Sequence, residues 1–520
     1  MKDGISRRTF FLGTLLAGVV PRAGYGSMPS LRQLGFKSPN EKLNIACIGA
    51  GGRATSNING CSSENIMAFA DVDDVRAGET YTRFPNAAKF RDFRKMLDKD
   101  AKSIDAVIIT TPDHLHASAA MACMQLGKHV YVEKPLTRTP WEADLLAQAA
   151  AKYKVATQMG NQGYSHESNR VAAEIVWSGE IGDVTEVHAS TGAPSWPQGL
   201  ESAPVPEKAP GTLDWDVWLG GAEARPYSPA YLPFNWRGFY DFGTGPLGDW
   251  GIHVFGPLNL ALRLGAPVGV EVIRQQGKNA WTFPTRSILR YDFPARGSMP
   301  AVKVFWYDAT RGATELYKVP GMENEVILPA SNNLIERGRG RPTEGRGAAP
   351  APGAAGAGAA AGAAGAAGGR GGRGAGGQGG GRGQAAAGAP TAAPMPATGV
   401  LHGNGAVFVG SKGYMATVAR GEGVHLLPGS RWKDYSLPAE VLSRSPGHYR
   451  DWIRACKGGE PACSNFSVSG PFAEWVTLGA IAYRFDGKLE YDAAKKRFTN
   501  NDAANQFLKP KFRKGWETKL

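Results

Sequence analysis

The sequence predicts an α/β protein whose N-terminal part is a doubly wound, parallel sheet. Two observations lead to this prediction. Short apolar segments that suit strands alternate with helical patterns between residues 41 and 135, and the connections between them are brief. In addition, the first apolar segment, 41–48, runs directly into a glycine-rich turn. Alternation of this kind builds right-handed strand–helix–strand units, which pair into a parallel sheet.

The glycine-rich turn fits the pattern G-x-G-x-x-A, which supplies a tight turn, close backbone approach to a pyrophosphate and a small residue where helix meets strand. Its residues are Gly49, Ala50, Gly51, Gly52, Arg53 and Ala54. The next predicted strand, 66–70, ends at Asp71, about twenty residues after Gly51. A carboxylate at this spacing suits the ribose 2′-hydroxyl of NAD better than the 2′-phosphate of NADP. The structural alternative for Asp71 is a helix N-cap.

Two further strands, 106–109 and 129–132, lead into polar segments. The first segment is Thr110-Thr111-Pro112-Asp113-His114-Leu115-His116, and the second is Glu133-Lys134-Pro135. Ligands bind beyond the carboxyl ends of strands in such sheets, so we interpret Glu133 and Lys134 as site residues rather than a surface ion pair. Two histidines two positions apart, with no third ligand nearby, favour a helix cap or a cofactor contact over a metal site. No metal is predicted.

Length and composition indicate a globular protein of two or three domains. The chain has 520 residues, 42% of them hydrophobic, and a net charge of +13. More than half of that excess lies within residues 1–30 and 336–382, so a basic nucleic-acid-binding face is not supported. Of five cysteines, Cys47 and Cys123 fall in predicted core positions, and whether Cys456 and Cys463 pair is left open.

The N-terminal segment 1–30 resembles a twin-arginine export signal. Arg7 and Arg8 precede a short, mildly apolar run, 10–20, which is too brief for a transmembrane helix. The expected location is therefore the periplasm, with no integral membrane domain. Cleavage of the signal and its retention as an anchor both remain open. Twin-arginine substrates cross the membrane folded, so we expect a tightly bound cofactor that does not exchange with a cytoplasmic pool.

Residues 164–337 and 398–515 are predicted to form a second α/β domain, following a first domain at 41–163. Strand patterns occur at 183–191, 287–293, 302–307, 405–409 and 414–418, and helical patterns at 449–456 and 472–483. Between the two segments of this domain, residues 338–397 are nearly all Gly, Ala, Pro and Arg, and this composition predicts a disordered insertion. Tryptophans at 196, 215, 218, 236 and 250 suit a core, although aromatic walls also suit the apolar face of a sugar.

Taken together, these motifs resemble the Gfo/Idh/MocA family of oxidoreductases. Beyond those already named, the matching segments are Gly160-Asn161-Gln162, Trp236-Arg237, Gly243-Thr244-Gly245, Asp249-Trp250-Gly251-Ile252-His253, 448–450 and 480–484. The resemblance implies a Rossmann NAD-binding domain followed by a domain with an open, largely antiparallel sheet that often builds a homo-oligomer, here a dimer or tetramer. It also implies cofactor contacts from Thr111, Pro112, His116, Glu133, Lys134 and Gln162, and substrate contacts from Trp236, Arg237, Asp249 and His253.

The family's catalytic positions correspond to Lys134, Asp249 and His253. Asp249 and His253 are four residues apart, so a helix would place them on one face. His253 can take the proton of an alcohol, and Lys134 can supply positive charge at the oxygen. Relatives often carry a further carboxylate where this chain has Gly256, so either a substrate contact is lost or a helix is shortened.

Three functions follow from this reading. The first is NAD-dependent oxidation of a secondary hydroxyl of a sugar, sugar derivative or cyclic polyol. The second is redox-neutral cleavage or epimerisation of a glycoside through a transient 3-keto intermediate, which export would favour because net oxidation strands NADH. The third, a non-catalytic binding protein, ranks last because Lys134 and His253 are both present. The particular sugar is not specified by any motif.

Overall fold

The computed structural model describes residues 40–192, 196–308, 316–329, 334 and 398–520. The predicted export signal, 1–30, and the predicted insertion, 338–397, lie outside the described residues. Across the described ranges, no helix combines the length and apolar character needed to cross a membrane. The described chain forms two sheets, one of six strands and one of nine.

The first sheet is wholly parallel, in the order β3-β2-β1-β4-β5-β6. Its strands are β1 (Asn44–Ile48), β2 (Asn65–Ala70), β3 (Ala88–Phe90), β4 (Ala106–Ile109), β5 (His129–Glu133) and β6 (Thr157–Gly160). Its helices are α1 (Arg53–Gly60), α2 (Asp74–Arg83), α3 (Phe93–Asp100), α4 (Asp113–Gln125) and α5 (Pro140–Tyr153). The strand order reverses between β1 and β4, which opens a crevice at their carboxyl ends. The predicted doubly wound fold is confirmed.

The second sheet is antiparallel except where β7 pairs with β10. Its strands are β7 (Val184–Thr191), β8 (Gly269–Gln276), β9 (Arg286–Phe293), β10 (Val302–Asp308), β11 (Gly405–Gly410), β12 (Gly413–Val418), β13 (Val424–Leu427), β14 (Lys488–Asp492) and β15 (Arg497–Phe498). Their order is β13-β12-β11-β7-β10-β9-β8-β14-β15. In β9, buried and half-buried residues alternate, as a strand with one covered face requires. The predicted largely antiparallel sheet is confirmed.

The remaining helices connect and cover the two sheets. They are α6 (Glu167–Trp177), α7 (Trp215–Leu219), α8 (Ile252–Val254), α9 (Gly256–Ala261), α10 (His448–Cys456), α11 (Phe466–Ala482) and α12 (Asp502–Asn505). A π-helical turn, Leu247–Gly251, leads into α8. Helix α11 packs on α5 of the first domain and on β8 of the second, so it joins the two.

Helix α10 belongs to the core of the first domain, although its segment was predicted as part of the second. Trp452, Ile453 and Cys456 are buried against the strands of the parallel sheet. The Tyr449 ring stacks on Tyr131 of β5, with 5.6 Å between ring centroids. The helical periodicity of 449–456 predicted a buried face correctly, but periodicity contains no information about which sheet that face covers.

The five cysteines are all free thiols. Cys47 and Cys123 are fully buried, as predicted, and burial raises the pKa of both thiols, to about 12 for Cys123. Cys456 and Cys463 do not form a disulfide. Among the described residues, no cluster of three His, Cys, Asp or Glu side chains could hold a metal ion.

Candidate functional site

A cavity of about 700 Å³ extends from the glycine-rich turn of the first domain to the π-helical turn of the second. It brings together fourteen of the sixteen predicted site residues: Gly49, Gly51, Gly52, Arg53, Asp71, Thr111, Pro112, Glu133, Lys134, Gln162, Trp236, Arg237, Asp249 and His253. Residues far apart in sequence therefore converge on one site. The cavity lies at the carboxyl ends of β1, β4 and β5, where the strand order reverses.

The glycine-rich turn is shaped for close approach of a dinucleotide. Gly49 has φ 88°, and a Cβ there would lie 2.8 Å from the Thr110 carbonyl oxygen. A Cβ on Gly51 would lie 2.6 Å from the carbonyl oxygen of Arg76. Only glycine fits both positions, and the turn passes directly into the N-terminus of α1, which favours a bound phosphate. These residues fit the pyrophosphate of NAD.

Asp71 lines the cavity and also braces the turn. Its Oδ2 accepts hydrogen bonds from the backbone N–H groups of Ala50 (2.7 Å) and Gly51 (3.3 Å). Burial raises the pKa of Asp71, although these N–H donors act in the opposite direction. The N-cap of α2 is Asp73, which accepts from the backbone of Val75 and Arg76. The N-cap alternative for Asp71 is therefore wrong, because the residue that caps this helix lies two positions later.

Ala54 and His116 were predicted to contact the cofactor, but neither lines the cavity. Ala54 is fully buried beneath the first turn of α1, where its small side chain lets the helix approach the sheet. The His116 ring is also fully buried, and its Nε2 lies 2.8 Å from the Thr111 carbonyl oxygen. His116 thus positions Thr111, which does line the cavity. Burial lowers the pKa of His116 to about 4, so the ring is neutral.

Glu133, the last residue of β5, is a buried carboxylate shared by several donors. Its Oε1 accepts from Arg53 Nε at 3.1 Å, Asn57 Nδ2 at 3.0 Å and Gln162 Nε2 at 3.1 Å. Tyr449 Oη in turn donates to Asn57 Oδ1 at 2.8 Å. The carboxylate therefore fixes α1 and the segment after β6 around the floor of the cavity.

Lys134 reaches across the cavity to Asp249 on the π-helical turn. Its Nζ donates to the Asp249 carbonyl oxygen at 2.9 Å and also pairs with the carboxylate through Oδ1. Arg237 Nε donates to the same Oδ1 at 3.2 Å. Burial tends to raise the pKa of Asp249, but the charges of Lys134 and Arg237 outweigh it and the pKa is lowered. Asp249 is thus a fixed anion between two cations.

His253 lies one turn beyond Asp249, and both side chains line the cavity as the four-residue spacing predicted. Burial, with the nearby charges of Lys134 and Arg420, lowers the pKa of His253 well below 6.5. The imidazole is therefore neutral and can accept a proton. Its Nδ1 is buried without a hydrogen-bond partner among the described residues, whereas most buried polar atoms in proteins have one.

Gly256 does not occupy a ligand-facing position. A Cβ there would lie 3.4 Å from the Tyr164 ring and 3.7 Å from Asn169 Oδ1, and Gly256 does not line the cavity. The helical path is interrupted at Phe255, between α8 and α9. The position at which relatives often carry a carboxylate is therefore not part of the described cavity lining in this chain.

Asp113, the first residue of α4, lines the cavity and was not among the predicted site residues. Burial raises the pKa of Asp113 to about 7. The Thr244 hydroxyl, which donates to Oδ2 at 2.8 Å, and the charges of Arg237 and Lys134 act in the opposite direction but do not outweigh burial. A carboxyl group that titrates near neutrality beside Lys134 is a second proton-exchanging group in the site. Its sequence signal was its place directly after Thr111-Pro112.

The rest of the lining that sequence reasoning missed includes Phe234, His166, Arg420 and Glu422. The Arg237 guanidinium lies 4.1 Å from the ring centre of Phe234 and 4.2 Å from that of Trp236. The Arg420 guanidinium lies 4.9 Å from the ring centre of Trp250. The second-domain wall is therefore aromatic and cationic. Arg420 follows β12, far along the chain, and no motif in the sequence marks it.

Comparison with known proteins gives two family-model matches in the same order as the domains. Residues 43–161 match the "Oxidoreductase family, NAD-binding Rossmann fold" model. Residues 185–295 match the "Oxidoreductase family, C-terminal alpha/beta domain" model.

Curated relatives are similar over part of their length. An inositol 2-dehydrogenase of Rhodococcus erythropolis is 29% identical over 177 residues, which are 32% of this chain and 49% of the relative. A glycosyl hydrolase family 109 protein of Solibacter usitatus is 31% identical over 202 residues, 35% of this chain and 45% of the relative. The chain thus spans about half the length of these curated relatives.

Among solved structures, the WlbA dehydrogenase of Bordetella pertussis, in complex with NADH and UDP-GlcNAcA, has the same fold. It aligns with a TM-score of 0.52 at 11% identity and covers 87% of this chain and 98% of that one. Residues 43–161 and 185–295 thus match, in sequence order, the NAD-binding Rossmann domain and the C-terminal domain of the Gfo/Idh/MocA family of oxidoreductases.

Proposed function

We propose that the protein is an NAD-dependent oxidoreductase that acts on a secondary hydroxyl of a sugar, sugar derivative or cyclic polyol and holds its cofactor tightly. One observation supports this most strongly. Lys134 of the NAD-binding domain pairs with Asp249 of the second domain, and neutral His253 lies beside them in the same cavity. A cation and a proton acceptor are the two groups that alcohol oxidation requires.

Each residue has a distinct task in this proposal. The nicotinamide ring supplies the hydride acceptor for the carbinol hydrogen. Lys134 places positive charge at the substrate oxygen and stabilises the developing alkoxide. His253 takes the hydroxyl proton as the carbinol carbon becomes a carbonyl. Asp249, itself held by Arg237, keeps the Lys134 ammonium group in place.

The walls of the cavity suit a ring-shaped polyol. Trp236 and Trp250 both line it, and aromatic faces pack well against the C–H face of a sugar ring. The relatives named as an inositol dehydrogenase and a glycosyl hydrolase support a cyclic polyol or sugar as the substrate class.

Direct assay tests the proposal. The purified protein, saturated with NAD, is incubated with a panel of cyclic polyols and sugars, and NADH formation is followed by absorbance. We expect NADH with at least one member of the panel and none with a Lys134→Ala variant. Equal rates for the variant and the wild-type protein would refute the assignment of Lys134, and no NADH with any compound would refute simple oxidation.

A redox-neutral glycosidase is the second candidate, and the similarity to a glycosyl hydrolase family 109 protein favours it. Oxidation at C3 would acidify the C2 proton, and elimination followed by rehydration would release the aglycone while the hydride returns to the substrate. Incubation with aryl glycosides and no added NAD separates the two. Aglycone release supports cleavage, whereas stable NADH absorbance without release supports oxidation.

We also propose twin-arginine export to the periplasm and assembly as a homo-oligomer. Arg7 and Arg8 before the apolar run 10–20 support export. Replacing both arginines with lysine should hold the protein in the cytoplasmic fraction, and unchanged fractionation would refute it. Light scattering tests the assembly, and a mass near the 55.2 kDa of one chain would refute it.

A further inference from the structure

Among the described cations of the second-domain wall, Arg420 differs from Arg237 because its guanidinium has no ion-pair partner. Arg53 pairs with Glu133, while Lys134 and Arg237 both pair with Asp249. Within the part of the chain that the structure describes, no carboxylate lies within ion-pair distance of Arg420. Glu422 also lines the cavity, but it has another interaction of its own. Among the described residues, the second-domain wall therefore presents to the cavity a guanidinium that is not in an ion pair.

The backbone holds Arg420 in an uncommon conformation. Its φ is 61°, in the left-handed region, which costs free energy for a residue with a side chain. The Arg420 main chain lies directly against Gly163, where a Cβ would collide with the Arg420 carbonyl group and Cα. Gly163 follows Gln162 of the cofactor-side lining, so the contact fixes Arg420 against the first domain. Packing thus keeps this exposed side chain at the site.

The Arg420 side chain lies beside Trp250, another residue that lines the cavity. Its guanidinium lies over the ring of Trp250, which is the neighbour of Asp249 in sequence. Its charge also contributes to the lowered pKa of His253. A substrate ring packed near Trp250 would therefore have the guanidinium within reach of its substituents.

We propose that Arg420 binds an anionic group on the substrate, so that the substrate class is a sugar or cyclic polyol bearing a carboxylate or phosphate. This inference rests on the proposed function and narrows it. The planar guanidinium can donate two parallel hydrogen bonds to such an oxyanion. Charge-assisted bonds in a partly enclosed site change affinity by about tenfold or more.

Binding to the NAD-loaded protein tests the proposal. Calorimetry measures the dissociation constants of D-glucuronate, D-glucose 6-phosphate and neutral D-glucose for the wild type and for Arg420→Gln. We expect the wild type to bind at least one charged sugar about tenfold more tightly than glucose and the variant to lose that preference. Preference for glucuronate identifies a carboxylate, and preference for glucose 6-phosphate identifies a phosphate.

Arg263→Gln is a matched control. Arg263 is also exposed, also has a positive φ of 49°, and also lies over a tryptophan, Trp177, at 4.6 Å, but it does not line the cavity. This variant should keep the wild-type preference. A wild type with no preference for charge, or an Arg420→Gln variant that retains it, would overturn the proposal. A parallel loss of NAD affinity in Arg420→Gln would also overturn it, because Arg420 would then serve the cofactor.

Turnover is scored separately from binding. NADH formation with neutral sugars, without any charge preference in binding, refutes the anionic subsite and leaves the proposed oxidoreductase function standing. Charge-selective binding that depends on Arg420, without hydride transfer from any sugar, keeps the subsite and refutes the proposed function.

Discussion

The ammonium group of Lys134, at the end of a strand in the NAD-binding domain, bonds to both the carbonyl oxygen and the carboxylate of Asp249 in the second domain. One residue of the pair follows β5, and the other lies in a π-helical turn, an element frequently found at functional sites. The pair therefore forms only when the two domains pack as described. The cavity-lining groups of the two domains are therefore aligned by the same packing that forms the interface.

Replacement of Lys134 with alanine should reduce turnover by about 100-fold or more, because the developing negative charge on the substrate oxygen loses its cation. NAD should still bind, since the glycine-rich turn and Asp71 are untouched. Steady-state kinetics and calorimetric titration with NAD measure the two effects.

Lys457→Ala is the control for Lys134→Ala. Lys457 also pairs with a buried carboxylate, Glu64, at 3.0 Å, but it lies outside the cavity. Both variants should lose thermal stability, and only Lys134→Ala should lose turnover. Comparable loss of turnover in the two would show that Lys134 acts through stability alone.

Replacement of Glu133 with glutamine should weaken NAD binding by about tenfold, because three donors would lose their charged acceptor. Arg53 and Gln162, two of those donors, line the cavity. Titration with NAD measures the change. Glu142→Gln, which alters a buried carboxylate in the capping box of α5, should leave NAD affinity unchanged. An unaltered affinity in Glu133→Gln would contradict the role given to that carboxylate.

His253 should make the folded protein sensitive to acid. Its pKa is depressed in the folded state, so below pH 6.5 the unfolded chain binds a proton that the folded chain does not. The free energy of unfolding should therefore fall as pH decreases from 6.5. His253→Gln should lessen that slope in melting temperatures recorded against pH. An unchanged slope would show that the ring protonates freely in the folded state.

Asp113 should have the opposite effect. Burial raises its pKa from 3.8 to about 7, so the folded state binds the proton more tightly than the unfolded chain does. Its contribution to stability is complete below pH 3.8 and is lost as pH rises toward about 7. Asp113→Asn, which keeps an acceptor for Thr244, should therefore raise the melting temperature at pH 8 more than at pH 5.

Asp292→Asn is the contrast for Asp113→Asn. Burial raises the pKa of Asp292, but bonds from Arg290 and Lys488 outweigh it and the pKa is lowered. Its contribution to stability is therefore lost as pH falls, so this variant should reduce stability most at neutral pH. A larger stabilisation of Asp113→Asn at pH 5 than at pH 8 would contradict the raised pKa of Asp113.

Replacing residues 338–396 with a short Gly/Ser linker should change the melting temperature by no more than about 2 °C, because a segment of this composition adds little core. The described flanks hold each other in place without it. Val319 N–H donates to the Gly399 carbonyl at 2.9 Å, and Gly399 N–H donates to the Glu325 carbonyl at 2.8 Å. A large loss of thermal stability would refute the prediction of a disordered insertion.

Local patterns predicted the parts of the fold and site whose cause is local. Strand-helix alternation and Gly49–Ala54 are consequences of neighbouring residues, and the fold class and NAD are confirmed. Asp249 and His253 shared a face because their spacing is helical. His116 illustrates the limit, since its motif is adjacent to the site yet its ring is buried behind Thr111. Arg420 was missed, and α10 was predicted as part of the second domain, because long-range packing places both and periodicity does not specify a packing partner.

The hydroxyl of Tyr449 meets the amide of Asn57 across 392 residues of chain. The strands of the parallel sheet are therefore translated before the helix that covers Tyr131 and completes their core. Until that helix docks, α1 lacks its support from Tyr449, and the dinucleotide cradle at its N-terminus is not yet rigid. NAD capture should thus follow the synthesis and docking of that helix. A fragment that ends before residue 448 would leave the apolar residues that this helix covers exposed, so it should aggregate. It should also retain the nucleotide poorly.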